Sequence, residues 1–264
     1  MDTRWVTAAD GMRLKVGVWS PMEGAPSREL LIVPGLAEHV GRYAHVAAAA
    51  VARGWRVHCI ELRGHGHSHG ARGHVDDWSE YVEDLRGVAS TLPPHVGFAH
   101  SMGGLVALEA IRAAAWAPTR LALTNPLLAP GSRGPRWKIA LAGLLERIAP
   151  RLPISTELDT SNLSRDATVV ADYLADPLVF PTVTPRWFGE MNRARERARG
   201  VVLTMPFAMH VGTADRICDP ATNLEFARSR GVEPRVWTDL RHELVNEVGR
   251  EQVIGELLDW LEQG

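Results

Sequence analysis

Short apolar runs recur along the chain with helix-length stretches between them, and this alternation constrains the fold more than any other feature. The runs are Glu29–Val33, Trp55–Ile60, His95–Ala99, Leu121–Thr124, Pro206–Val211 and Pro234–Thr238. Helical patterns occupy roughly residues 40–53, 77–91, 102–115, 219–230 and 247–262. Strands that alternate with helices predict a mostly parallel sheet, right-handed crossovers and helices on both faces. Two further alternating segments flank Asp10-Gly11, a hairpin-turn dipeptide, and bring the expected sheet to eight strands. With 264 residues the chain is long enough to bury such a sheet in one α/β domain.

The alternation breaks once. From Leu127 to Gly200 no strand pattern is visible. Gly131–Pro135 is turn-rich, and Trp137–Ile148 carries Trp137, Leu141, Leu144, Leu145 and Ile148 at helical spacing. Asp166–Ala175 and Pro185–Arg199 also read as helices. The expected division is therefore a core of residues 1–126 and 201–264 and an inserted helical cap of 127–200. Such an insert lies over the C-terminal edge of the sheet, where these sheets bind ligands. Its apolar stripe, with Trp187 and Phe188, is expected to line a tunnel for an apolar substrate; the same residues would also suit extra core packing.

Composition excludes several partners. Net charge is −2, so nothing attracts nucleic acid or an anionic surface. No apolar run reaches the length of a membrane span, and the N-terminus lacks the pattern of a secretory signal. Two cysteines, Cys59 and Cys218, make no disulfide framework and are expected as free thiols in a reducing compartment, the cytoplasm.

The chemistry gathers at the ends of the expected strands. Phe98-Ala-His-Ser-Met-Gly-Gly104 stands between a strand and a helix, a context in which a sharp turn exposes the Ser101 hydroxyl. Pro34-Gly35-Leu36-Ala37 follows the first central strand, and the N–H groups of Leu36 and Met102 are candidate oxyanion donors. Asp215 follows a late strand and His242 follows the last. A serine hydroxyl needs a base, and the base needs a carboxylate to fix its tautomer. Ser101, Asp215 and His242 appear in the chain order Ser–Asp–His. His65, His67 and His69 alternate in Glu61-Leu-Arg-Gly-His-Gly-His-Ser-His69, a spacing that suggests a metal, yet the run lacks further ligands. No metal and no organic cofactor is expected.

These residues together resemble the monoglyceride lipase and lysophospholipase family of α/β-hydrolases. Gly35-Leu-Ala-Glu-His39 with Arg42-Tyr43 is similar to its oxyanion loop, Arg63-Gly-His-Gly-His-Ser68 to its R-G-H-G-x-S loop, and His100-Ser-Met-Gly-Gly104 to its nucleophile elbow. Leu163-Ser-Arg-Asp166 with Tyr173 and Asp176-Pro-Leu178 resembles its cap motif; Ala214–Cys218 and His242–Glu247 resemble its acid and base loops. The resemblance implies the α/β-hydrolase fold, Ser101, Asp215 and His242 as triad, and Leu36 and Met102 as donors. It implies small carboxylic esters, monoacylglycerols or lysophospholipids as substrates, with transient contact to a lipid surface. Departures are Pro34 for His, Ala99 for Gly, Glu61 for Asp, and Asp239 three residues before the base, where a carboxylate is expected to raise the pKa of His242. An acyltransferase, a peptidase and a non-catalytic binder of hydrophobic ligands are the rival readings on this fold.

Overall fold

The computed structural model describes residues 1–132 and 135–263, with backbone alone at Arg136 and Ile139. Residues 133 and 134 of the turn-rich stretch lie outside the described residues. The strands are β1 (Asp2–Thr7), β2 (Arg13–Trp19), β3 (Arg28–Val33), β4 (Trp55–Ile60), β5 (Val96–His100), β6 (Leu121–Thr124), β7 (Ile154–Ser155), β8 (Thr182–Val183), β9 (Phe207–Gly212) and β10 (Arg235–Trp237). The helices are α1 (Ala44–Ala52), α2 (Ser79–Ala89), α3 (Ser101–Arg112), α4 (Arg136–Ile148), α5 (Ala167–Ala175), α6 (Pro185–Ala198), α7 (Pro220–Arg228) and α8 (Arg250–Glu262).

Eight strands form one sheet in the order β1-β2-β4-β3-β5-β6-β9-β10. The β1–β2 and β2–β4 pairs are antiparallel, and every pair from β4 to β10 is parallel. Because side chains alternate along a strand, each central strand feeds two cores. Leu31 and Val33 of β3 join one core with α2, α3, α6 and α7; Leu30 and Ile32 join the other with α1 and α8. This is the α/β-hydrolase fold.

The insert differs from the all-helical expectation. Strands β7 and β8 pair antiparallel within it. Two-residue strands are too short to leave a readable alternation in sequence. Nor is the insert uniformly detached. In α6, Trp187, Met191, Ala194 and Ala198 are buried in the core shared with α3, and the Trp187 indole donates to the Tyr81 hydroxyl at 3.2 Å. Trp187 is thus a core residue, set against Trp78, and not a tunnel wall. Helix α4 shows the opposite. Its inner side presents Glu146 to Arg186 and Arg193 of α6, while Trp137, Leu141, Leu144 and Ile148 are 64%, 43%, 52% and 68% exposed and Leu145 is half-buried. The expected tunnel lining faces solvent, because the ionic side of the helix has taken the contact with α6. No helix among the described residues is long and apolar enough to cross a membrane.

Candidate active site

Strand β5 ends at His100 and α3 begins at Ser101, whose φ of 51° is the left-handed conformation of a sharp turn. The turn is held from below by small residues. A Cβ on Gly103 would stand 2.2 Å from the Val33 carbonyl oxygen and 2.3 Å from that of Pro34, so only glycine lets α3 pass the end of β3. Gly35 approaches from the other side with somewhat more room, where a Cβ would meet Glu38 Oε2 at 2.9 Å and Ser101 Cβ at 3.2 Å. The Leu36 N–H follows this glycine, and the Met102 N–H lies in the first turn of α3, where helix N–H groups have no intrahelical partner. Among the described residues neither donates to a loop or side-chain acceptor.

Asp215 lies beyond β9 and His242 beyond β10. The Asp215 carboxylate is fixed by the N–H groups of Ile217 and Cys218, at 2.8 and 3.0 Å on Oδ1. Its Oδ2 is 2.8 Å from His242 Nδ1, and His242 Nε2 is 2.9 Å from Ser101 Oγ. A carboxylate oxygen accepts, so Nδ1 carries the proton and Nε2 offers its lone pair to the serine hydroxyl. All three residues are buried. The structure therefore brings together the three residues that lie 141 positions apart at most in the chain.

Burial works to lower the pKa of His242, but the charge and hydrogen bond of Asp215, then Glu243 and Glu38, outweigh it and hold the imidazole above its ordinary value. Asp239 has no such part: it is exposed at φ 59°, with its N–H on Thr213 Oγ1. The expectation that Asp239 is the second carboxylate at His242 is therefore corrected to Glu243 and Glu38. Sequence reading stopped at Asp239 because it counts along the chain, whereas Glu38 arrives from the oxyanion loop. Glu38 accepts from the Gly35 N–H at 2.5 Å and the Tyr43 hydroxyl at 2.6 Å, and Arg42 lies between Glu38 and Glu243 at 3.3 and 2.5 Å. Next to Ser101, His100 is pushed down to about 4 by burial and stays neutral; its Nδ1 donates to the Thr124 carbonyl at 3.1 Å.

Asn125 is another residue that sequence reading missed. Its amide donates to the carbonyls of His242 and Arg241 at 2.7 and 3.2 Å and accepts from the Gly212 N–H at 3.0 Å, joining the end of β9 to the base loop. Its positive φ of 41° is a signal that no motif carries.

The three histidines of the 65–69 run do not converge. His65 is buried with Nδ1 on the Arg63 carbonyl, His67 is exposed beside Lys15, and His69 stands edge-on to Trp5. Among the described residues the one cluster with metal-ligand potential is Asp215, Cys218 and His242, and its His and Asp atoms are already hydrogen-bonded to each other.

The profile of the family described as "Serine aminopeptidase, S33" matches residues 24–249. The chain belongs to this family. It is 32% identical over 265 residues to a monoacylglycerol lipase of Mycolicibacterium smegmatis, covering 95% of this chain and 93% of that one. It is 32% identical over 280 residues to human monoglyceride lipase, covering 99% and 91%. Among solved structures, a monoacylglycerol lipase from Paleococcus ferrophilus superposes with a TM-score of 0.85 at 28% identity, covering 94% of this chain and 98% of that one.

Proposed function

We propose that this S33-family protein is a serine ester hydrolase acting through an acyl-enzyme on monoacylglycerols, lysophospholipid-like lipids or small acyl esters. The observation that carries the proposal is the continuous relay Asp215–His242–Ser101, at 2.8 and 2.9 Å, beside the Leu36 and Met102 N–H groups. Ser101 Oγ attacks the acyl carbonyl while His242 Nε2 takes its proton. The two N–H groups hold the oxyanion of the tetrahedral intermediate. His242 then protonates the departing alcohol, and the acyl group stays on Ser101. Water, deprotonated by His242, then attacks the acyl carbonyl carbon; as the second tetrahedral intermediate collapses, His242 returns that proton to Ser101 Oγ and the carboxylic acid is released. The lipase relatives named above support ester hydrolysis over acyl transfer, peptide cleavage or passive binding. In this proposal residues 127–200 act as the cap, and the outward stripe Trp137-Leu141-Leu144-Ile148 of α4 rests on the lipid surface that supplies substrate. The buried, unpaired Cys59 and Cys218 support a reducing compartment such as the cytoplasm.

The test is hydrolysis of p-nitrophenyl esters and monoacylglycerols of graded acyl length by wild-type protein and Ser101→Ala. Turnover by the variant is expected to fall by more than about 10⁴-fold, with melting unchanged. A variant that keeps even a few per cent of wild-type turnover removes Ser101 from the mechanism.

A further inference from the structure

We propose that the cap segment 161–165 is a fixed brace for the base loop, and that Glu247, acting through Arg165, is a positioning residue for His242. The proposal rests on the reading of His242 as the base. Glu247 is a buried carboxylate with four donors. Oε1 accepts from the N–H groups of Arg241 and Arg165 at 2.9 and 3.1 Å; Oε2 accepts from Arg165 Nε and the Val248 N–H at 3.2 and 2.9 Å. One side chain thus joins both ends of the base loop to the cap. A second layer of bonds runs the same way. The His242 and Glu243 N–H groups donate to the carbonyls of Asn162 and Leu163 at 3.3 and 2.9 Å. Arg241 donates to the carbonyls of Ser161 and Ser164 at 2.6 and 2.9 Å, and Ser164 Oγ donates to the Asn246 carbonyl at 3.0 Å.

The physical consequence is direct. The backbone of the base itself is bonded to the cap, so the cap does not lift as one body without carrying His242 off Ser101. Misplacing a reacting group by about 1 Å costs on the order of a hundredfold in rate. Substrate entry is left to α4, which has no such bonds to the base loop among the described residues.

Glu247→Gln keeps the shape but turns two N–H donors of the amide toward Val248 N–H and Arg165 Nε. It is expected to lower kcat tens-fold with KM within about twofold. Labelling of Ser101 by a fluorophosphonate should slow by the same factor, and the low-field proton resonance of the His242–Asp215 hydrogen bond should shift or vanish. Arg165→Ala, at a side chain 38% exposed, tests the same link without opening the core, and Arg165→Lys should restore part of the loss. Wild-type kcat and labelling in both Glu247→Gln and Arg165→Ala, with only the melting temperature lowered, would show a purely structural bond and overturn the brace. If Ser101→Ala itself keeps turnover, the failure lies in the assignment of the reaction and not in the brace.

Discussion

The loops at the C-terminal edge of the sheet and helix α4 lie at opposite extremes of constraint. In the loops each group is fixed from several elements: Ser101 by Gly103 against β3, Asp215 by two N–H groups, His242 by Asn125 and the Asn162 carbonyl. In α4 the polar side makes the contacts and the apolar stripe meets solvent. In the proposed function the two serve different ends: a relay fails when its atoms drift, whereas a stripe proposed to meet lipid has to stay unoccupied until the lipid arrives.

Substitutions in the two regions should therefore differ in kind. The largest effect is expected at Gly103→Ala, where the new methyl faces two carbonyl oxygens of rigid backbone and has no soft neighbour to displace. Chemical denaturation should show a loss of about 1–3 kcal/mol, with a fall in kcat as the elbow shifts. Unchanged stability would mean that the elbow is looser than its contacts imply.

Next is the pH dependence of kcat/KM. Only neutral His242 accepts the serine proton, so activity should be lost as pH falls through the free-enzyme pKa of His242. That pKa is raised, so the midpoint should lie above the reference of about 6.5. Glu243→Gln should move the midpoint down, and Asp239→Asn should leave it in place. A midpoint below the reference would show that burial outweighs the carboxylates.

Smaller effects are expected on α4. Leu144→Glu should weaken sedimentation with phospholipid vesicles several-fold and slow hydrolysis of long-chain monoacylglycerols. Short p-nitrophenyl esters and the melting temperature should change little, because the side chain is 52% exposed. Equal loss for every acyl length with a lowered melting temperature would make α4 a core helix. The smallest effect is Gly143→Ala on the same helix, where nothing lies within 4 Å of a new Cβ. It should raise stability by up to about 1 kcal/mol through helix propensity alone, measurable in the thermal melt. Opposite signs at Gly103 and Gly143 would express the contrast between the two regions in one pair of measurements.

Much of this was legible in the chain. The central strands were visible because each is apolar on both faces and bounded by turn residues, and the helices between them because their apolar residues recur at helical spacing. Ser101, Asp215 and His242 were legible because each ends a strand in a fixed order. What was not legible has one cause: it depends on which side of an element meets a partner. The stripe of α4 has the same periodicity whether it faces in or out. Trp187 looks like a cap residue until it is seen against Trp78 and Tyr81.

The sequence by itself determined the alternating fold, the positions of the three polar groups along it, and the absence of a membrane-length apolar run, because each is a property of local spacing and residue type. Tertiary structure alone decided which carboxylates act on His242, that Asn125 and Glu247 hold its loop, and that α4 turns its apolar side outward. Those are long-range matters. Glu38 and Glu243 meet across Arg42 only after β3 and the base loop are side by side, and Glu247 reaches Arg165 only after the segment that carries Arg165 has folded against the base loop.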